Sequence, residues 1–190
     1  MKAASGLVGA ALIAAGFGQS AWARDGEPTR AVPSELAVPG GQKAGVKFNA
    51  SGVQIYRCAA EPKVASNYGS TFEPPDHYVW TLVAPEATLL DDSGKVAVRH
   101  YAGPTWEASD GSKVVGKVVA KAAAPDGASI PWLLLSTTVV QPGDRFGKVA
   151  FVQRLHTSGG LAPATGCSPG TANAETRVPY TAEYYFYSVN

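Results

Sequence analysis

The chain has no surplus of basic side chains, which removes one large class of partner. Its 190 residues include 16 Lys and Arg against 15 Asp and Glu, for a formal net charge of +1, and no basic run is present. Nucleic-acid binding usually requires clustered Lys and Arg that displace counterions from phosphate groups. A nucleic-acid partner is therefore not expected.

Metal and cofactor motifs are missing as well. The three histidines, His77, His100 and His156, are far apart, and no H-x-H, H-E-x-x-H or paired-cysteine spacing occurs. The Gly159-Gly160 pair is too short for the glycine-rich loops that hold nucleotide phosphates. We expect neither a metal nor a cofactor; a metal held by His100, His156 and Glu107 converging in space is the alternative.

Long apolar runs are confined to the N-terminus. Lys2 precedes a run of Ala, Gly, Leu, Val and Ile that ends in Ala21-Trp22-Ala23, and Arg24 follows. A cationic start, a short apolar stretch and a small-x-small tripeptide are the three parts of a secretory signal. We predict a signal peptide over residues 1–23, export to the periplasm or the extracellular space, and no membrane span after cleavage. An uncleaved anchor is the alternative.

Cysteine is scarce, since Cys58 and Cys167 are the only two. In exported proteins a pair of cysteines is by default a disulfide, because oxidising compartments let the bond persist. We predict a Cys58–Cys167 disulfide that encloses most of the domain. Two free thiols, one of them catalytic, are the alternative.

The pattern of apolar residues predicts a sheet protein. Residues 24–42 are rich in Pro and Gly and read as an extended N-terminal segment, and residues 43–190 as a single β domain. Gly94 and Gly111 stand in turn clusters where a positive φ is expected. The predicted class is all-β, an antiparallel β-sandwich or barrel-like single domain with long loops, one of them at 67–75. The predicted strands are 46–50, 53–58, 78–84, 95–101, 113–121, 132–139, 147–154 and 176–187.

The last predicted strand carries aromatic residues on both faces. Tyr180, Tyr184 and Phe186 alternate there with Tyr185 and Tyr187. Because successive side chains of a strand point to opposite faces, we expect both faces to be covered, either within the sheet or in an interface. The alternative is a platform on which a sugar stacks.

The densest group of polar residues is at 99–112. It includes His100, Glu107 and Asp110. An imidazole oriented by a carboxylate is a common pair for general acid–base catalysis at neutral pH. These three are the candidate catalytic residues; the structural alternative is that Asp110 and Ser112 cap a turn, Trp106 fills the core and His100 hydrogen-bonds a loop carbonyl.

Candidate binding residues come from two places. Trp106 and Tyr101 belong to the same polar stretch, whereas Arg154 and His156 stand at the end of a predicted strand. Strand ends and loops on a rigid sheet commonly carry binding groups. For the second pair, the alternative is an ordered loop tied down by Cys167.

Several strings, taken in order, resemble a known family. They are Gly52-Val53-Gln54-Ile55-Tyr56-Arg57-Cys58, Ala84-Pro85-Glu86-Ala87-Thr88-Leu89, His100-Tyr101-Ala102-Gly103-Pro104-Thr105-Trp106-Glu107, Asp110-Gly111-Ser112, Ile130-Pro131-Trp132-Leu133-Leu134, and Gln153-Arg154-Leu155 with Gly159-Gly160-Leu161-Ala162-Pro163. Over about residues 32–187 the chain resembles the secreted family catalogued as domain of unknown function 3455. The resemblance implies export and a paired Cys58 and Cys167, and it supplies no established activity and no catalytic residue.

Three functions are compatible with these observations. A neutral, aromatic-rich exported β domain is typical of a ligand- or envelope-binding protein, and the ligand would be a glycan or a small apolar molecule. The first alternative is a hydrolytic or acid–base enzyme that uses His100 with Glu107 or Asp110. The second is a structural or stress-related envelope protein without a ligand.

Overall fold

The computed structural model describes Pro28, residues 30–61 and residues 77–189. The predicted signal peptide and the predicted loop at 67–75 lie outside the described residues. Within them, no helix has the length and apolar character needed to cross a membrane.

Eight strands form one antiparallel sheet, and the last strand pairs with the first, so the sheet closes into a ring. The all-β single domain is confirmed, in the closed form rather than as a sandwich of two sheets. The strands are β1 (Gln42–Ala60), β2 (Tyr78–Leu90), β3 (Val96–Tyr101), β4 (Thr105–Ala108), β5 (Lys113–Ala122), β6 (Trp132–Gln141), β7 (Val149–Gly159) and β8 (Glu175–Val189).

The structure differs from the predicted strands in three places. The predicted strands 46–50 and 53–58 are one strand, β1, which continues through Gly52. A Cβ at this position would lie 2.2 Å from the Glu86 carbonyl oxygen, so glycine lets β2 pass close to β1 instead of making a turn. β2 continues through Pro85, beyond the predicted end of the strand. Pro85 lies in the half of β2 that pairs with β1 alone, so it is at an edge of the sheet, where proline is tolerated. The short strand β4 was not predicted, because four residues show too little periodicity.

The interior of one half of the ring is filled by aromatic and aliphatic side chains. The Phe186 ring meets the Phe48 ring edge-on at 5.6 Å between centroids and stacks on the Phe146 ring at 4.8 Å. Phe146 comes from the β6–β7 connection and is fully buried. Its backbone N–H donates to the Ser112 hydroxyl at 3.2 Å. This half of the ring is therefore closed by a packed core.

A second cluster covers the outer face of the sheet. A single turn of 3₁₀ helix, Ser34–Leu36, places Leu36 against β5 and β6 with no exposed surface. The Gln153 side-chain amide donates to the Leu36 carbonyl at 2.7 Å, and Tyr187 donates to the same side chain. β8 therefore has both faces buried, as its two-sided aromatic pattern predicted; the outer cluster consists of Leu36, Ala124, Trp132, Leu134, Leu155, Tyr185 and Tyr187.

The predicted disulfide is confirmed. Cys58 near the end of β1 is bonded to Cys167 in the connection between β7 and β8. Backbone hydrogen bonds between Cys58 and residues 173 and 174 hold the same two segments together. The cross-link therefore fixes the start of β8 beside β1, where the ring closes.

One side of the ring has an opening. β2 pairs with β3 only at residues 87–90, and β4 pairs with β5 only at 105–107. The hairpin of β3 and β4 is too short to span the wall, so in the described part of the chain residues 78–86 of β2 and 117–122 of β5 have no strand partner across this opening. Each edge also carries a β-bulge, at Val83 and at Val119.

Candidate functional site

A cavity of about 280 Å³ extends from this opening into the half of the ring that the aromatic core leaves free. Its outer rim is apolar, since Leu82, Val83 and Val118 line it and are 53%, 44% and 47% exposed. The turn between β3 and β4 forms another part of the rim of the cavity. The full lining is Gln54, Leu82, Val83, Ala84, Pro85, His100, Gly103, Pro104, Trp106, Val118, Leu133, Leu135, Arg154 and Tyr184.

The inner end of the cavity is an aromatic stack. The His100 ring lies parallel to the Trp106 ring at 4.5 Å between centroids, and the Tyr184 ring meets the Trp106 ring edge-on at 5.7 Å. Gly116 on β5 makes room for the indole, because a Cβ there would lie 2.7 Å from its Cζ3 atom. The cross-strand pairing of His100 with Trp106 therefore positions both rings on the inner face of the hairpin.

Two buried N–H groups of the lining have no hydrogen-bond partner. They are Gln54 Nε2 and Trp106 Nε1, and both residues are at most 2% exposed. Buried side-chain donors in folded proteins are nearly always satisfied, so two unsatisfied donors on one cavity are unusual. Two residues of the cavity lining therefore carry buried N–H groups for which the described residues supply no acceptor.

His100 is neutral at physiological pH. Its Nδ1–H donates to the Thr105 carbonyl at 2.8 Å, which leaves Nε2 as an acceptor in the neutral ring. Burial lowers the pKa of this imidazole from 6.5 to about 4, because the charged form is excluded from a dry interior.

Arg154 on β7 is the charged residue of the cavity. Its Nε and Nη2 atoms donate to the Pro131 carbonyl at 3.2 and 2.8 Å. None of the ion pairs found between described residues includes this guanidinium. Burial raises the pKa of Tyr184, and the positive charge of Arg154 opposes part of that rise. Arg154 therefore lies within electrostatic reach of the aromatic stack.

The structure does not bring the three candidate catalytic residues together. His100 faces inwards, whereas Glu107 accepts a hydrogen bond from Tyr101 at 2.7 Å and pairs with Lys113 at 3.2 Å. Asp110 accepts from the Ser112 side chain and from the Arg145 backbone, and these bonds lower its pKa to about 2. Acid–base catalysis by these residues stays a prediction, and no contact of the described residues supports it.

Two of the four candidate binding residues, Trp106 and Arg154, line the cavity. The other two do not. Tyr101 is bonded to Glu107, and His156 lies in a bulge of β7, with φ 48°, where its Nδ1–H donates to Glu183 at 2.7 Å. Within the described ranges, no three His, Cys, Asp or Glu side chains are grouped so that they could hold a metal ion.

One serine has the letter pattern of a nucleophile but not its setting. Residues 166–170 read Gly-Cys-Ser-Pro-Gly, the order found where a serine stands on a sharp turn from strand to helix. Here Cys167 is in the disulfide, and Ser168 is the cap of a single 3₁₀ turn, bonded to Thr171. This serine therefore has a structural role.

Gln54 is a lining residue that the sequence did not single out, and Tyr184 was noted only among the aromatic residues of the last strand. Gln54 stands at an even position of β1, in register with the inward-facing Phe48, Ala50 and Tyr56. A glutamine on the apolar face of an alternating strand is the signal that identifies it. Tyr184 had no comparable signal, because its place at the cavity depends on how the ring closes.

The fold and this site define a class of protein: a small disulfide-linked β domain whose closed antiparallel sheet encloses an apolar cavity with unsatisfied donors. The family model described as protein of unknown function (DUF3455) matches residues 39–188, and the chain belongs to this family. The comparisons with curated proteins and with solved structures gave no match.

Proposed function

We propose that this protein is an exported binding protein that takes a small, mainly apolar ligand into the cavity. The observation that carries the proposal is the pair of unsatisfied donors, Gln54 Nε2 and Trp106 Nε1, in residues that line a mainly apolar cavity. A buried donor without a partner costs about 1–3 kcal/mol. A ligand that brings an acceptor oxygen removes that cost.

The entrance supports the same function. Leu82, Val83 and Val118 place exposed apolar surface around the opening, and clustered exposed apolar side chains mark binding sites on soluble proteins. A larger depression of about 420 Å³ on the outer face is bordered by the exposed residues Val96, Arg99 and Gly111, and its lining contains none of the unsatisfied donors. The cavity inside the ring is therefore the better site.

The volume limits the ligand. About 280 Å³ lies at the lower end of the range of about 300–1,000 Å³ that is usual for ligand pockets. It equals roughly nine water molecules at about 30 Å³ each. A compact apolar compound suits this cavity better than an oligosaccharide, whose hydroxyl groups would need many more polar partners.

Export is part of the proposal. The N-terminal 23 residues have the composition of a cleaved signal peptide, and the Cys58–Cys167 disulfide suits an oxidising compartment. The periplasm and the extracellular space are both such compartments. The ligand is then a compound that the cell meets outside its cytoplasm.

The test is calorimetry and thermal shift with the purified protein against benzyl alcohol and 1-hexanol, with glucose as the polar contrast. We expect the two alcohols to bind and raise the melting temperature, and glucose to have no effect. Val118→Trp, at the opening, should abolish binding. Val119→Trp is the matched control, because Val119 is the next residue, is 52% exposed and does not line the cavity.

Two outcomes count against this function. If neither alcohol nor any carboxylate of the series below binds, the cavity is not a ligand site. If Val118→Trp and Val119→Trp reduce binding equally, the ligand binds elsewhere.

A further inference from the structure

We infer that the ligand carries a carboxylate group and that Arg154 binds it. This inference rests on the proposed function, because it assigns the chemistry of the same cavity. Its basis is a half-buried guanidinium that lines an apolar cavity and has no carboxylate partner among residues 30–61 and 77–189.

The hydrogen bonds of Arg154 do not use all of its N–H groups. The Nε and Nη2 atoms are both directed at the Pro131 carbonyl. A guanidinium has five N–H groups, so the Nη1 hydrogens and the second hydrogen of Nη2 remain. Tyr184 also hydrogen-bonds with this side chain, so the guanidinium has two neutral partners and no carboxylate among the described residues. The N–H groups beyond these bonds can serve the oxygens of a carboxylate.

The surroundings of Arg154 supply no negative charge. Burial raises the pKa of Tyr56, Tyr180 and Tyr184, and Arg154 lowers each of them in part, which shows that all three lie near the guanidinium. These hydroxyls and His100 are neutral at pH 7. Buried charges in proteins are usually paired, so an anion is the group that this site lacks.

Most of the hydrogen-bonding groups in the lining residues are donors, beside the acceptor Nε2 of the neutral His100. Arg154 has guanidinium N–H groups beyond those bonded to Pro131 and Tyr184, and Gln54 Nε2–H and Trp106 Nε1–H have no partner. An ionised carboxylate only accepts, and it has about four lone-pair directions. A carboxylate on a short apolar body therefore fits both the donors and the wall.

The experiment compares ligands that differ in the charged group alone. Calorimetry at pH 7 would measure phenylacetate against phenylacetamide and hexanoate against hexanamide. Because a hydrogen bond to a charged group is stronger than one to a neutral group, we expect each carboxylate to bind at least about tenfold more tightly than its amide. The aromatic and linear pairs also show which apolar body the cavity prefers.

Variants of Arg154 test the role of this residue. Arg154→Gln should remove the preference for the carboxylate, and Arg154→Lys should keep part of it, because a lysine retains the charge without the planar fork. Arg99→Gln is the matched control, since Arg99 is exposed on the opposite face of the hairpin. Circular dichroism would verify that each variant is folded.

The possible results separate this inference from the proposed function. If amides and carboxylates bind equally well, the inference is overturned and the cavity remains a site for apolar ligands. If carboxylates are preferred equally by wild type and a folded Arg154→Gln variant, another group is the anchor and the inference is overturned. If no carboxylate, amide or alcohol binds, both proposals fail. If Arg154→Gln does not fold, the wild-type comparison and Arg154→Lys decide.

Discussion

His100 is a titratable group that the fold keeps uncharged. Its ring is 3% exposed between the Trp106 ring and the Tyr184 ring, and its Nδ1–H is bonded to a backbone carbonyl. A charge added there would have no acidic partner among the contacts of the described residues. Protonation therefore opposes folding.

We predict that stability falls between pH 7 and pH 5 because of His100. Its pKa is about 4 in the folded protein and about 6.5 in the unfolded chain, so the unfolded chain binds more protons in this window. The contribution is fully present above the unfolded pKa and is lost as pH falls towards the folded one. The expected loss of unfolding free energy from pH 7 to pH 5 is about 2 kcal/mol, measured by urea unfolding.

The control uses the exposed histidine. His77 is bonded to Glu61 at the surface, so His77→Gln should keep the pH dependence, whereas His100→Gln should flatten it. The pKa of Asp110 is about 2, which places its own loss of stability below this window. An unchanged slope in His100→Gln would contradict the prediction.

Gly116 gives a second prediction for a single residue. In Gly116→Ala, the added Cβ would lie 2.7 Å from the Trp106 ring and 3.0 Å from Leu135, so the stack must shift. We expect a loss of about 1–3 kcal/mol in unfolding free energy together with a change in tryptophan fluorescence. Gly40→Ala is the control, because no atom lies within 4 Å of its Cβ. Equal effects of the two substitutions would refute this account.

At the scale of elements, local chemistry was easier to predict than pairing. Gly94 and Gly111 do have positive φ values of 79° and 83°, because a tight turn demands it from nearby residues alone. The fusion of two predicted strands into β1 depends on how closely β2 approaches Gly52, which no local pattern contains. Aromatic and charged residues such as Trp106 and Arg154 stand out in a sequence, and both of these candidates line the cavity in the structure.

The N-terminal segment is an element whose contribution can be measured. Leu36 is fully buried on the outer face of the sheet, so Leu36→Ala removes packed methyl groups and leaves a cavity. We expect unfolding free energy to fall by about 2–5 kcal/mol. Leu161→Ala, at a leucine that is 43% exposed, should change it by less than about 0.5 kcal/mol. Similar losses in both variants would mean that the segment does not pack as described.

At the scale of the whole molecule, the ring is closed by contacts between the two ends of the domain. β1 pairs with β8 along most of its length, and the Cys58–Cys167 bond joins segments 109 residues apart. A sandwich and a closed ring share the same strand signals, so the sequence left both open. The cavity was beyond prediction for the same reason, since Gln54 and Tyr184 line one cavity only when the ring closes.

Removal of the cross-link should weaken the whole domain. The double variant Cys58→Ser, Cys167→Ser should lose about 2–5 kcal/mol of unfolding free energy, because its unfolded chain is no longer held in a long loop. Chemical denaturation would measure the loss, and thiol titration would verify that the wild type has no free thiol. Reductant should destabilise the wild type and leave the double variant unchanged; an equal response of both proteins would contradict this.

The opening in the wall of the ring affects how copies of this protein associate with one another. Unpaired strand edges are templates on which a second chain can add a strand and start aggregation. The edge of β5 carries the exposed Lys117 and Lys121, and the edge of β2 contains Pro85, which has no N–H to offer. Like charges and a missing donor oppose docking of one copy on another. Such an arrangement disfavours edge-to-edge pairing of two copies while the entrance to the interior stays open.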